Sequence, residues 1–234
     1  AQKKGKCLVL VPTRELAIQV DETFQKIAPH FGMKTVVLIG GASMHLQIQT
    51  LRKSPRVIIA TPGRLIDHME QRNVLLFDVN ILVLDEADRM LDMGFKPQIE
   101  QILRMIPKDR QTMLFSATIP GEIISIAAAY MKLPVHVEIA PSGTAAEKVT
   151  QELFIVRRDA KKDLLRKILL QYHGPILLFT RTKIGANKIT RLIRGMGHKA
   201  AEIHSDRTLG QRREALEGFK DGQYRILVAT DIAS

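Results

Sequence analysis

The chain has 234 residues, of which 45% are hydrophobic and 25% charged, a composition typical of a folded protein with a buried core. Its longest aliphatic runs are too short to cross a bilayer, and its single cysteine, Cys7, excludes an internal disulfide and a cysteine-rich metal cluster, so we expect a cytoplasmic setting. The net charge of +11 favours a nucleic-acid partner, although a merely basic protein would carry the same charge.

Aromatic residues make up only 5% of the chain and include no tryptophan. This scarcity argues against recognition of single strands by base stacking. Contacts to the sugar–phosphate backbone are therefore the expected mode of nucleic-acid binding.

Short apolar runs alternate with amphipathic segments along residues 1–139. The run at 6–11 ends at Pro12 and predicts a buried strand, and apolar residues at helical spacing over 14–30 predict a helix. Further strands are predicted at 35–39, 56–60, 81–85, 112–116 and 135–139. Predicted helices at 44–53, 64–71, 97–105 and 121–131 fill the gaps.

Residues 140–149 are a predicted linker, because small and turn-forming residues replace the apolar period there. Beyond it, strands are predicted at 151–156, 175–179, 199–203 and 224–229, and helices at 161–172, 184–196 and 208–220. Strands that alternate with helices predict parallel sheets covered on both faces. The expected fold class is therefore α/β, with domains at 1–139 and 150–234 joined by a short linker.

An acidic cluster, Asp85-Glu86-Ala87-Asp88, directly follows an apolar predicted strand. Ligands of parallel α/β sheets bind at the carboxyl ends of the strands. A carboxylate at such an end suits Mg²⁺ beside nucleotide phosphates, and Glu86 would orient or deprotonate a water molecule. Acidic residues also stabilise helix N-termini, so the cluster by itself leaves a structural role open.

Further motifs follow the predicted strands in order. They are Pro12-Thr13-Arg14-Glu15-Leu16-Ala17, Gly40-Gly41, Thr61-Pro62-Gly63-Arg64, Ser116-Ala117-Thr118, residues 177–182 and residues 228–234. Together with the acidic cluster they resemble the motifs of DEAD-box ATP-dependent RNA helicases, a family of superfamily 2. The resemblance covers essentially the whole chain, and it implies two RecA-like domains with ATP and Mg²⁺ as cofactors and RNA as the partner.

The resemblance also implies roles for single residues. Asp85 would hold Mg²⁺ through water and Glu86 would activate the attacking water, while Asp88, Ser116 and Thr118 would couple the nucleotide state to domain closure. The expected RNA-side residues are Thr13, Arg14, Gly41, Thr61, Gly63 and Arg64 in the first domain and Phe179, Thr182, Arg212 and Thr230 in the second. Amides, hydroxyls and guanidinium groups near helix N-termini bind phosphates without reading bases, so RNA of almost any sequence would bind.

Each motif also has a structural interpretation. Thr61, Pro62 and Gly63 are typical of a strand-to-helix turn, and Ser116 and Thr118 of a helix cap. Arg14 and Glu15 are equally typical of a first helical turn. At His204, where Ser205 replaces the Gly of the family, a buried histidine and a functional one both remain open.

The phosphate-binding loop G-x-x-x-x-G-K-[ST] of the family does not occur in these 234 residues. The resemblance places this loop and the adenine-contacting Q motif before Ala1, and the arginine motif (motif VI) after Ser234. We therefore expect two truncated domains that bind RNA without hydrolysing ATP, with self-association or a partner chain covering exposed sheet edges. The alternative is a non-catalytic RNA- or protein-binding module derived from a helicase.

Overall fold

A computed structural model describes residues 5–138 and 149–230. The chain divides into two compact units, residues 1–144 and 145–234. Each unit contains a parallel sheet flanked by helices, which confirms the predicted α/β class with two domains. Residues 140–148 of the predicted linker lie outside the described residues, and no helix that the structure describes is long and apolar enough to cross a membrane.

The first unit is built on a parallel sheet. Within residues 5–138 its strands are β1 (Lys6–Leu10), β2 (Thr35–Leu38), β3 (Val57–Ala60), β4 (Val79–Leu84) and β5 (Gln111–Leu114), in the order β2-β3-β1-β4-β5. Leu8 in β1 pairs with Ile58 on one side and with Leu82 on the other, and all three side chains are buried. Burial on both faces explains why these strands are almost continuously apolar.

Helices cover the sheet of the first unit. They are α1 (Arg14–Ile27), α2 (Met44–Leu51), α3 (Pro62–Glu70), α4 (Ala87–Asp92), α5 (Lys96–Met105) and α6 (Gly121–Tyr130). The helix predicted over 14–30 ends at Ile27 and continues as a 3₁₀ turn, Ala28–Phe31, because Pro29 has no amide to donate. Helix α4 was not predicted, since six residues are too few to show a helical period.

The second unit has a smaller parallel sheet. Among residues 149–230 its elements are α7 (Lys161–Gln171), β6 (Ile176–Thr180), α8 (Lys183–Gly195), β7 (Ala200–Ile203), α9 (Leu209–Lys220) and β8 (Ile226–Thr230). The strand order is β6-β8-β7, so the last strand lies in the centre. Val228, at the middle of β8, is completely buried.

Two predicted strands are wrong. Residues 135–138 and 151–156 have no regular secondary structure, and Ile139 lies outside the described residues. Apolar residues alternate with polar ones at 135–139 and form a short run at 153–156, but Val135 is 88% exposed and Ile155 94% exposed. Neither segment pairs with a strand among the residues that the structure describes, and strand propensity alone does not supply a partner.

We predict that Leu82→Ala destabilises the first unit. Leu82 is fully buried between Leu8 and Thr112 in the neighbouring strands, so its truncation should lower the free energy of unfolding by about 3 kcal/mol. Urea denaturation followed by circular dichroism measures the change. Leu75→Ala is the control, because Leu75 is exposed and its loss should cost less than about 0.5 kcal/mol; equal losses for the two variants would contradict the described core.

Candidate nucleic-acid interface

The predicted site residues of the first unit lie at one edge of its sheet. All the strands of this sheet are parallel, so their carboxyl ends share one edge. The turns at this edge carry Thr13 and Arg14 after β1, Gly41 after β2, Thr61, Gly63 and Arg64 after β3, Asp85 and Glu86 after β4, and Ser116 and Thr118 after β5. The fold thus gathers residues that are more than a hundred positions apart in sequence.

The acidic turn after β4 is held from both sides. The amide of Asp85 donates to the carbonyl of Leu10 at 3.0 Å, and the amide of Ala87 donates to the carbonyl of Phe115 at 3.0 Å. Between these anchors, Glu86 has φ 48° and ψ 51°, in the left-handed region that is unfavourable for a residue with a side chain. Its amide donates to Asp85 Oδ1 at 3.0 Å.

The environment of Glu86 suits a proton acceptor. Burial raises the pKa of its carboxyl above the ordinary value, Arg89 opposes this effect, and Asp85 and Asp88 raise the pKa further. A carboxylate with a raised pKa takes up a proton from water more readily than an ordinary one does. This is the property that the predicted role of Glu86 requires.

The carboxylates fit Mg²⁺ only as part of a nucleotide complex. Carboxylate oxygen is the ligand type that Mg²⁺ prefers, and Mg²⁺ takes its other ligands from phosphates and water in nucleotide sites. No cluster of three or more His, Cys, Asp or Glu residues that would hold a metal by itself occurs in the described parts of the chain. Asp85 therefore fits a Mg²⁺ ion that arrives with phosphates, and no hydrolysis step follows from these residues alone.

Asp88, Ser116 and Thr118 form one hydrogen-bonded network. The hydroxyl and the amide of Thr118 donate to Asp88 Oδ2 at 2.7 and 2.8 Å. Ser116 Oγ accepts from the amide of Asp88 at 3.2 Å and donates to the carbonyl of Thr118 at 2.6 Å. Helix α6 starts beyond them, with Pro120 as its N-cap residue, so the interpretation that Ser116 and Thr118 cap the helix that follows them is wrong.

The network controls the charge of Asp88. Burial alone would raise the pKa of Asp88, but hydrogen bonds from Thr118, Arg89 and Ser116 outweigh burial and hold the pKa below its ordinary value. Asp88 is therefore ionised at neutral pH. It joins the start of α4 to the turn after β5 through a charge-assisted contact.

Two arginines flank the turn formed by Gly40, Gly41 and Ala42, named here the 40–42 turn. A Cβ atom at Gly40 would lie 3.1 Å from Arg14 Nη2, a tight contact that would require the guanidinium to shift by a few tenths of an ångström. Arg64 Nη1 donates to the carbonyl of Ala42 at 3.2 Å. Guanidinium groups placed on both sides of a backbone turn are suited to phosphate.

The remaining predicted residues of this edge shape helix N-termini. Thr13 Oγ1 accepts from the amide of Leu16 at 3.2 Å and caps α1. Thr61 is buried at the N-cap position of α3, where its side chain makes no capping bond and Pro62 takes the first helical position. The interpretations of these segments as a first helical turn and a strand-to-helix turn are therefore confirmed, and both are compatible with phosphate binding at the same amides.

Gln47 and His68 also belong to this edge, although the sequence analysis did not single them out. Gln47 Nε2 donates to the carbonyl of Ile39 at 3.0 Å, and His68 Nε2 lies 3.1 Å from Gln47 Oε1. Both side chains are buried. The signal in the sequence is a polar residue at a core-facing helical position, since His68 lies three residues after the buried Leu65.

In the second unit, the predicted residues divide into exposed and buried ones. Thr182 is exposed and caps α8 by accepting from the amide of Gly185 at 3.0 Å, and Phe179 is half exposed on β6. Thr230 at the end of β8 and Arg212 on α9 are buried. The end of the last motif, residues 231–234, lies outside the described residues.

His204 is a buried histidine in the turn after β7. Its Nδ1 accepts from the amide of Asp206 at 3.3 Å, and its Nε2 lies 3.8 Å from Glu202 Oε2. Burial lowers the pKa of His204, which Lys183 and Arg212 lower further against the opposing effect of Asp206. These contacts favour the buried, structural interpretation.

A two-domain α/β protein with carboxylates, hydroxyls and guanidinium groups at the carboxyl edges of its sheets is the architecture of a nucleic-acid helicase core. Residues 1–126 match the DEAD/DEAH box helicase family, and residues 160–234 match the helicase conserved C-terminal domain. The chain belongs to the DEAD/DEAH box helicase family.

Curated relatives and solved structures agree with this assignment. The chain is 40% identical over 230 residues to the ATP-dependent rRNA helicase RRP3 of Yarrowia lipolytica, covering 97% of this chain and 48% of that protein. It is 40% identical over 228 residues to the DEAD-box ATP-dependent RNA helicase CshA of Bacillus subtilis, covering 97% and 46%. The chain thus spans about half the length of the curated relatives it matches.

Among solved structures, S. cerevisiae Dbp5 bound to RNA and ADP BeF3 aligns with a TM-score of 0.84 at 26% identity. The alignment covers 97% of this chain and 58% of that one. A DEAD box protein from the hyperthermophile Methanococcus jannaschii aligns with a TM-score of 0.56 at 34% identity, covering 97% and 61%.

We predict that Thr118→Val raises the pKa of Asp88. The variant loses the hydroxyl that donates at 2.7 Å but keeps the amide, so the Asp88 pKa should move toward its ordinary value. A group with a depressed folded pKa stabilises the fold above its unfolded pKa, and this stabilisation is lost as the pH falls through the folded pKa. The variant should therefore be less stable by about 0.5–1 kcal/mol at pH 7, and the difference should vanish well below about pH 4.

Carbon-detected NMR titration of the Asp88 carboxyl measures this pKa. Thr23→Val is the control, because the Thr23 hydroxyl donates only to Gln19 of its own helix. An Asp88 pKa that is the same in Thr118→Val and in the wild type would contradict the described network.

Proposed function

We propose that this chain is part of an ATP-dependent RNA helicase, which remodels RNA when ATP gates the closure of two domains. The observation that carries the proposal is the shared carboxyl edge of the first sheet. The acidic turn lies there beside the hydroxyl, amide and guanidinium groups that are suited to bind phosphate. The Asp88–Ser116–Thr118 network joins two turns of this edge and is the natural element to couple nucleotide state to RNA binding. The names of the curated relatives, which are ATP-dependent RNA helicases, support the proposal.

RNA would be held through its sugar–phosphate backbone without sequence preference. On the first domain we assign this contact to Thr13, Arg14, Gly41, Thr61, Gly63 and Arg64. On the second, Phe179 and Thr182 are exposed enough to contact RNA, whereas Arg212 and Thr230 are buried and would act by positioning or coupling. The RNA bound in the solved Dbp5 structure supports RNA as the partner class.

ATP and Mg²⁺ are the cofactors that the family implies. In a helicase that holds ATP, Asp85 would bind Mg²⁺ through water and Glu86 would orient or deprotonate the attacking water. The 234 residues contain no G-x-x-x-x-G-K-[ST] sequence, so we propose that this chain alone binds RNA without hydrolysing ATP. The domain limits 1–139 and 150–234, the linker at 140–149 and the cytoplasmic setting stay predictions.

We predict that the chain binds a fluorescent oligouridylate with a dissociation constant that rises steeply with salt, because phosphate neutralisation releases counterions. Fluorescence anisotropy across a salt series measures this binding. ATP with Mg²⁺ should leave it unchanged, and RNA-dependent phosphate release should not exceed that of Glu86→Gln. Tighter binding with ATP, or phosphate release above that control, would show that the chain holds nucleotide productively.

Arg64 provides the matched test of the assigned surface. Arg64→Ala should weaken binding about fivefold, since one phosphate contact is lost. Arg104→Ala removes the same charge from an exposed position paired with Glu100 on α5 and should have little effect. Equal effects would mean that net charge alone, and not the carboxyl edge, binds RNA.

The second candidate is a non-catalytic binding module. An apolar cleft of about 470 Å³ lies between the end of β5, helix α6 and residues 134–138. Phe115 and Val137, which line it, are 53% and 78% exposed. In the described part of the chain β5 pairs only with β4, and an unpaired apolar edge is a template for another chain. We propose that a second copy of this chain, or a partner chain, covers the unpaired side of β5 and the apolar cleft beside it.

We predict that the chain self-associates reversibly as its concentration rises. Sedimentation velocity over about two decades of concentration measures the association, and Val137→Glu should shift it toward monomer because the new charge lies in the apolar cleft. Phe77→Glu is the control, since Phe77 is exposed but does not line the cleft. Purely monomeric behaviour at high concentration would contradict self-association.

A further inference from the structure

We propose that Gln47 is a positioning residue for RNA binding: its side-chain amide, oriented by His68, holds the 40–42 turn in the shape that contacts phosphate. The inference rests on the RNA binding proposed above and identifies the side chain that holds one of the RNA-binding turns in place. Gln47 and His68 lie outside the motifs that the sequence resemblance identified.

Gln47 joins the two ends of the 40–42 turn. Its Nε2 donates to the carbonyl of Ile39, just before the turn, at 3.0 Å, and to the carbonyl of Ala42, at its end, at 3.4 Å. Gly41 between them has φ 76°, in the left-handed region, and residues 40 and 41 form a turn. The buried amide of Gln47 therefore adds a side-chain hydrogen bond to the carbonyl group at each end of this turn.

The hydrogen bond from Gln47 to Ala42 also bears on the position of Arg64 relative to the 40–42 turn. The carbonyl of Ala42 accepts from both Gln47 Nε2 and Arg64 Nη1, the latter at 3.2 Å. On the other side, the guanidinium of Arg14 lies close to Gly40. Gln47 thus sets the position of the backbone between the two guanidinium groups assigned to RNA, although it is itself only 6% exposed and does not reach a ligand.

His68 determines which way the amide of Gln47 faces. Because Gln47 Nε2 serves two carbonyls, its Oε1 must face His68, whose Nε2 lies at 3.1 Å and therefore carries the ring proton. The ring is completely buried, and its Nδ1 has no partner among the described residues. Burial lowers the pKa of His68 and Arg64 lowers it further, against an opposing effect of Asp67, so the neutral ring is favoured.

His68 and Arg64 lie four residues apart on α3, so one helix supplies both the group that orients Gln47 and the group that shares its acceptor. The charged or titratable groups near position 47 are Arg64, Asp67 and His68 on α3, His45 on α2 and Asp21 on α1, which lines the same surface cleft as Gln47. Asp21 accepts a hydrogen bond from the hydroxyl of Thr35.

The test compares Gln47 with Gln49, which is exposed on the same helix and contacts the exposed His45 at 2.9 Å. Dissociation constants for a fluorescent oligouridylate are measured between pH 6 and pH 8. Gln47→Leu should weaken binding about 5- to 20-fold at every pH, because both hydrogen bonds to the turn are lost. Gln49→Leu should bind within about twofold of the wild type, since an exposed contact is worth little.

Gln47→Glu separates positioning from packing. An ionised carboxylate has nearly the volume of the amide but cannot donate to the two carbonyl oxygens, so Gln47→Glu should weaken binding at pH 8. Gln49→Glu adds the same charge in solvent, where the pKa of a glutamate is about 4.3, and its relative affinity should not change over this range. Wild-type affinity of Gln47→Glu at pH 8 would show that the donated hydrogen bonds do not hold the turn and would overturn the proposal.

A second pair of variants keeps the test decisive if Gln47→Leu does not fold. His68→Gln retains an Nε2 donor for Gln47 Oε1 and should bind RNA as the wild type does, while His68→Leu should bind more weakly. Equal binding by both His68 variants overturns the orienting role. If the wild type binds RNA and Gln47→Leu binds it equally tightly, the inference is overturned but the proposed function stands. If the wild type binds no RNA, both the proposed function and the inference are overturned.

Discussion

The parallel pairing of β1 with both β3 and β4 is the constraint on which the candidate site depends. Because strands of one direction must end at one edge, the turns after β1, β3 and β4 meet there, whatever their separation in sequence. The amide of Asp85 extends this pairing by one more bond, to the carbonyl of Leu10. The position of the acidic turn is therefore fixed by the same hydrogen bonds that hold the core.

Polar contacts between neighbouring turns convert this edge into a connected surface. Asp88 joins the turn after β4 to the turn after β5, and Arg64 joins the turn after β3 to the 40–42 turn after β2. Each side-chain contact adds to a backbone hydrogen bond between the same neighbouring segments, from the amide of Ala87 to the carbonyl of Phe115 and from the amide of Thr61 to the carbonyl of Leu38. A ligand that displaces one turn would therefore disturb its neighbour, which is the physical requirement for communication between a nucleotide and RNA.

The sequence predicted the alternation of strands and helices well because buried parallel strands and amphipathic helices have distinct periods. It failed at residues 135–138 and 151–156, where the apolar pattern is typical of a strand but no strand pairs with the segment within the described residues. Gln47 and His68 escaped notice for a related reason. Whether a polar side chain is buried depends on neighbours from distant segments, and here those are the carbonyls of Ile39 and Ala42.

The left-handed backbone of Glu86 favours glycine, whereas the proposed chemistry at this position needs a carboxylate. Glycine would adopt φ 48° without steric cost, whereas glutamate is strained there by about 1 kcal/mol. The residue that best suits the fold is therefore not the one that carries a carboxylate with a raised pKa. A glycine here would relieve the backbone strain but would remove the carboxylate to which we assign the water-activating role.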